Sequence, residues 1–198
     1  AVIVATPTHK HRDIAIAALK AGKHVYCEAP LAHTIDDAKA IALAAKAAPR
    51  QIFQAGLQLR SDAQTALLLP FVRTGKLGNW IMGRAQWNKK TNWRAASPRP
   101  EREKELNWRL DRTSSQGLIG EVGIHQLDRA GLFFNARPVS VTGFGSLVQW
   151  KDGRDVPETV QAMIEFPNQI QFTYNATIAS SFDADYETYH GSFATVVC

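Results

Sequence analysis

Over the first sixty residues, short apolar runs alternate with helical patterns, and this feature constrains the fold most. It is the signature of βαβ units, in which parallel strands are joined by helices packed on the sheet. Val2 to Ala5 has the composition of a buried strand. His9 to Ala21 reads as a helix with Ile14, Ala17, Ala18 and Ala21 among its apolar members, and Gly22 follows to end it in the left-handed conformation. His24 to Cys27 is a second strand. Thr34 to Asp37 supplies a capping box for an alanine-rich helix that runs to the Ala48-Pro49 break, and Gln51 to Ala55 is a third strand. Ser61 to Gln64 forms another capping box, ahead of a helix that ends near Gly75 and that Pro70 should kink by removing a backbone donor.

Beyond Leu77-Gly78 the texture changes. A β-like run from Trp80 to Trp87 is followed by a basic, Trp-rich segment and a helical pattern from about Gly117 to Phe134. Val139 to Trp150, Thr159 to Glu165, Gln169 to Thr177 and Tyr186 to Val196 then alternate like strands of an antiparallel sheet. The expected organisation is an α/β unit over residues 1–75 and an α+β unit over residues 76–198, joined directly by the helix ending at Gly75.

Composition excludes several classes. With 45% hydrophobic and 21% charged residues the chain is neither disordered nor fibrous. No apolar run approaches the ~18 to 20 residues a membrane-spanning helix requires. Cys27 and Cys198 are too few for a disulfide scaffold or a cysteine-built zinc site. The net charge of +5 is local: residues 84–112 carry nine Lys/Arg against four acids, while the remainder holds fourteen of each sign.

Three groups of residues could carry chemistry. Ligands of open parallel sheets bind beyond the carboxyl ends of the strands, which draws attention to residues 5–11 and 27–30, with Glu28 and the Thr6/Pro7 backbone lining one crevice. The alternatives are polar turns that merely cap helices, or a metal at His9 and His11, which lie two apart and point to different faces. Glu121 and His125 are four apart, with Asp128 three further on, and so share one helical face. A carboxylate beside an imidazole suits proton transfer from a hydroxyl or substrate binding; a structural network, or a metal site lacking a third evident ligand, are the other readings. The basic segment interleaves Trp87, Trp93 and Trp108 with Lys89, Lys90, Arg94, Arg99, Arg102 and Arg109. It could stack single-stranded nucleic acid, pack as a solvated arm across a partner subunit, or line a site mouth where aromatic faces meet sugar rings.

Val2 to Ala32 resembles the segment joining the fourth and fifth strands in the glucose-fructose oxidoreductase / inositol dehydrogenase / MocA (Gfo/Idh/MocA) family of NAD(P)-dependent enzymes, and Gly120 to Asp128 is similar to that family's helix bearing an Asp and a His four residues apart. The resemblance implies the C-terminal part of a Rossmann-type parallel sheet, then an open, mainly antiparallel sheet domain that floors the active site and forms a homo-oligomer. It implies hydride transfer between NAD or NADP and a carbinol of a sugar, cyclitol or related polyol, with neither membrane nor nucleic acid as partner. By the same resemblance His125 is the base and Glu121, standing where the family has Asp, orients the substrate or His125. Thr6, Pro7, His11, Glu28, Pro30, Trp108 and Arg109 lie along the cofactor, and Lys90 and Asp128 meet the substrate.

Departures from the family pattern matter too. The family's Glu-Lys-Pro is Glu28-Ala29-Pro30 here, so the catalytic lysine is replaced by a methyl group, with Lys89 or Lys90 as candidate substitutes. One alternative is NAD-dependent glycoside cleavage by transient oxidation and elimination; another is a non-catalytic binding protein. No G-x-G-x-x-G occurs. The chain is therefore expected to be a piece lacking the family's N-terminal Gly-rich half and extreme C-terminus, with a cytoplasmic location expected and an export signal upstream of Ala1 as the alternative.

Overall fold

The computed structural model describes residues 1–198. Three strands, β1 (Val2–Val4), β2 (Val25–Glu28) and β3 (Phe53–Gly56), form a parallel sheet in the order β1-β2-β3. The crossovers are α1 (His11–Lys20), entered through a 3-10 turn at Thr8–Lys10, and α2 (Ile35–Lys46). Val4, Ala15, Leu19, Val25, Cys27 and Ile41 bury their side chains in one core between sheet and helices. The Thr34 hydroxyl caps α2 by accepting from the Asp37 N–H at 3.1 Å. The next helix, α3 (Ala63–Arg73), runs through Pro70 to Arg73, and its cap is Asp62 rather than the expected Ser61: the Asp62 carboxylate accepts from the Thr65 N–H at 3.0 Å. Ser61 instead ends the 3-10 turn Gln58–Ser61.

The second sheet has six strands in the order β5-β6-β7-β4-β8-β9: β4 (Trp80–Asn88), β5 (Ser140–Ser146), β6 (Thr159–Phe166), β7 (Ile170–Thr177), β8 (Asp185–Gly191) and β9 (Thr195–Val197). Antiparallel pairing dominates, but β4 lies parallel to β7 at its centre. Two expected strands are cut. Val139 to Trp150 stops at Ser146, because the buried Glu158 carboxylate draws the N–H groups of Val148, Gln149 and Trp150 out of any ladder. Tyr186 to Val196 folds back on itself as the β8-β9 hairpin.

One face of this sheet is covered by α5 (Ile124–Phe134) and carries an aromatic core of Phe133, Phe134, Phe166, Phe172, Tyr174 and Tyr189. Burying such side chains contributes roughly 1.5–3 kcal/mol each. The opposite face is open and mostly polar, with Gln161, Thr173 and Arg84 among its members. Ahead of α5 the helix does not start regularly: Ile119–Gly123 forms a π-helical turn. Gly123 seats this turn against Tyr174, where a Cβ would stand 2.8 Å from the ring. A short helix α4 (Glu103–Leu106) lies within the basic segment.

The two units touch at the carboxyl ends of the parallel strands. The Thr8 hydroxyl donates to Glu121, the Gln116 amide donates to the His33 carbonyl, and the His9 and Trp108 rings meet edge to face at 6.0 Å.

Candidate functional site

His11 organises the strand ends. Its ring is 1% exposed, and its nitrogens lie 2.8 Å from the Thr6 carbonyl and 3.0 Å from the Pro30 carbonyl. The ring therefore ties the turn after β1 to the turn after β2. Cys27, one residue before Glu28, is pushed up to about 11 by burial and then by the Glu28 charge, so it stays an unreactive thiol. A cavity of about 230 Å³ opens between these turns and the second unit, with Thr6, Thr8, Glu28, Ala29, Arg109 and Glu121 in its wall.

Glu121 reaches this cavity from the π-helical turn. Its side chain is only 4% exposed. Burial raises its pKa above the ordinary glutamate value, against the Arg109 charge and the Thr8 hydroxyl, which donates at 3.3 and 3.4 Å. The Arg109 guanidinium stacks 4.6 Å from the Trp108 ring centre, with Nε 4.0 Å from Glu121.

His125 stands one turn further along, half-buried at the start of α5. Burial lowers its pKa below the usual 6.5, and the charges of Glu28 and Asp128 oppose that shift. Nδ1 is buried without a partner, which leaves Nε2 as the nitrogen open to a ligand. Asp128 is held by Arg60 in a two-pronged pair at 2.6 and 2.7 Å. His125 lines a second cavity of about 410 Å³, bounded also by Asp62, Trp87, Gln126, Arg129 and Asp185.

Glu121 and His125 thus face different cavities instead of forming a hydrogen-bonded pair, since the π-helical turn breaks the regular spacing between them. Glu28 connects the two sites: it lines the first cavity and acts electrostatically on His125. Thr6, His11, Trp108 and Arg109 gather at the first cavity, with Pro7 and Pro30 in the turns that frame it. Lys89 and Lys90 are exposed and border neither cavity; their N–H groups donate to the Thr177 carbonyl and the Ser181 hydroxyl. Arg129 and Glu187, a buried ion pair at 3.1 Å, and Gln126 had no local signal beyond the four-residue spacing of Arg129 from His125.

The basic segment offers no stacking platform. Trp108 is buried, and Trp87 and Trp93 pack against the second core. Arg94 is engaged by Glu103 and Asp152, and Arg102 by Glu105. No group of three His, Cys, Asp or Glu side chains is arranged to hold a metal ion, and no helix is long and apolar enough to cross a membrane.

Comparison with known proteins gives a consistent result. Residues 1–56 match the oxidoreductase family with an NAD-binding Rossmann fold, and residues 69–196 match the GFO/IDH/MocA C-terminal domain. Levoglucosan dehydrogenase of Pseudarthrobacter phenanthrenivorans is 29% identical over 99% of this chain and 54% of its own length. The 1,5-anhydro-D-fructose reductase of Ensifer adhaerens is 26% identical over 100% of this chain and 56% of its own. The crystal structure of an oxidoreductase domain protein from Kribbella flavida superposes with a TM-score of 0.83 at 28% identity, covering 100% of this chain and 54% of that one. The chain spans about half the length of the curated relatives it matches.

Proposed function

The chain belongs to the GFO/IDH/MocA family of oxidoreductases, and from that premise we propose that the protein containing it transfers hydride between NAD or NADP and a carbinol of a sugar, cyclitol or related polyol. The observation that carries this reading is the cavity at the carboxyl ends of the parallel strands, where such sheets bind ligands, with Glu28 and Glu121 in its wall and the Glu28 charge acting on His125. The relatives named for levoglucosan and 1,5-anhydro-D-fructose support the substrate class.

The residues present fit the nicotinamide end of the cofactor. His11 fixes the carbonyls of Thr6 and Pro30, and Ala29 presents only a methyl group to the cavity between them, which leaves room for a flat ring. Thr6, Pro7, Glu28 and Pro30 would frame it, and Trp108 and Arg109 would close its far side. When bound, the cofactor supplies the hydride acceptor. His125 takes the hydroxyl proton at Nε2, and its depressed pKa keeps the ring neutral and receptive at neutral pH. Glu121, buried in the wall of the first cavity where the Thr8 hydroxyl donates to it, orients the substrate from the other side. Asp128 stays committed to Arg60 and acts on His125 through its charge. The open face of the six-stranded sheet is the proposed homo-oligomer interface.

Turnover of full-length protein with NAD or NADP and a panel of sugars and cyclitols tests this reading. His125→Ala should lower kcat by about 10²–10⁴-fold with cofactor binding retained. Unchanged turnover would overturn it, and aglycone release from a glycoside without net cofactor reduction would favour the elimination route.

A further inference from the structure

We propose that Glu28 is the counter-charge of the reaction, a carboxylate that balances one positive charge as it moves from the nicotinamide in the first cavity to His125 in the second. The inference rests on the reading of His125 as the base and of the first cavity as the nicotinamide site, and it adds a preference between the two forms of the cofactor.

The charge balance of the reaction sets the requirement. As a carbinol is oxidised, its C–H bond breaks and the electron pair leaves with the hydrogen as hydride to the nicotinamide. Its O–H bond breaks, the proton passes to Nε2 of His125, and the C=O bond forms. The oxidised nicotinamide carries one positive charge and the reduced ring carries none. The site therefore holds that charge before the step and after it, but in different places. A carboxylate within reach of both places stabilises both ends of the transfer.

Glu28 meets this requirement. Its carboxylate lies at the end of β2 over Gly56 of β3, where a Cβ would stand 2.8 Å from Oε2, so the glycine seats the acid at the strand ends. From there it lines the first cavity and also acts on His125, in the direction that favours the protonated ring. Its charge reaches its chain neighbours too: burial and then Glu28 raise the Tyr26 hydroxyl and the Cys27 thiol. The guanidinium in the same wall, Arg109, pairs instead with Glu121 at 4.0 Å, and Ala29, next in the chain, adds only a methyl group. The other charged groups around His125 are Asp128 on its own helix, held by Arg60, and Asp62, Arg129, Asp185 and Glu187 across the second cavity, where Arg129 lies 3.1 Å from Glu187. None of these borders the first cavity, so Glu28 is the charge common to both places.

Calorimetric titration of full-length protein with the oxidised and reduced forms of NAD, and of NADP in parallel, tests the assignment. Glu28→Gln should weaken the oxidised form about tenfold and the reduced form far less, because only the oxidised ring carries the charge that Glu28 answers. Ala29→Lys keeps Glu28 and sets a cation beside it, and should shift the ratio of the two affinities the same way. At a pH just below 6.5, binding of the oxidised form should release part of a proton from His125, because the charge of the ligand offsets that of Glu28. The release is read by repeating the titration in buffers of different ionisation enthalpy, and Glu28→Gln should abolish it. Retained binding of the reduced form shows that the variants are folded. Equal weakening of both forms by Glu28→Gln, an affinity ratio indifferent to Ala29→Lys, or proton release that survives in Glu28→Gln would overturn the proposal and leave the hydride-transfer reading standing. Failure of every cofactor form to bind the unaltered protein would overturn that reading as well.

Discussion

At the scale of single residues, the environment of His125 sets a pH dependence whose sign can be worked out. The base is the neutral ring, and burial lowers its pKa below 6.5, so activity should persist down to a pH under that value and fall as the ring takes a proton. Asp128 opposes this shift, and Arg60 offsets the Asp128 charge. Arg60→Ala should therefore move the acid limb of the kcat/KM profile upward, while Asp128→Asn should move it downward. A pH series on the two variants checks the pair of opposite directions. Glu28 drew attention as a polar residue at a strand end, and Glu121 and His125 as residues four apart; the shared face expected of that pair does not form, because a π-helical turn lies between them. Arg129 was not legible, since an arginine four residues past a histidine reads as surface until Glu187, fifty-eight positions away, is placed beside it.

At the scale of elements, caps and breaks were legible where they depend on neighbours in the chain. Thr34 caps α2 as its spacing to Asp37 predicts, whereas the second box is displaced by one residue because Ser61 is taken up in a 3-10 turn. The premature end of β5 had no such signal. Its cause is Glu158, fully buried and accepting from the N–H groups of Val148 and Trp150 at 2.7 Å and from that of Gln149. Burial raises a carboxyl pKa, but these three donors outweigh it and hold Glu158 below the ordinary value. The stability they contribute is present above the unfolded-state pKa near 4.5 and is lost as pH falls through the lower folded value. Glu158→Gln should cost about 1–3 kcal/mol at neutral pH, read as a lower Tm, because an amide nitrogen faces donors where an oxygen accepted.

At the scale of the whole molecule, the open sheet face ties fold to assembly. Along it Phe144 and Met163 sit on the neighbouring strands β5 and β6, and Met82 on β4 beyond β7, all exposed among polar residues, and β5 is exposed along its whole length. Sedimentation of full-length protein should show an oligomer, and Met163→Glu should shift it to smaller species with turnover geometry intact; a monomer in both cases would remove the sheet face from the assembly. By itself the sequence determined what depends on local spacing: the βαβ alternation, the change of texture after Gly78, the helix caps and the polar residues at strand ends. Such signals arise within one or two turns of chain, where periodicity and hydrogen-bond reach are fixed. Only the tertiary structure decided which distant segments became neighbours. It set β4 beside β7 in parallel, turned Glu121 and His125 toward separate cavities through a π-helical turn seated on Tyr174, and closed the Arg129-Glu187 pair. Packing chooses these contacts by shape and charge across the whole core, and no window of sequence contains both partners.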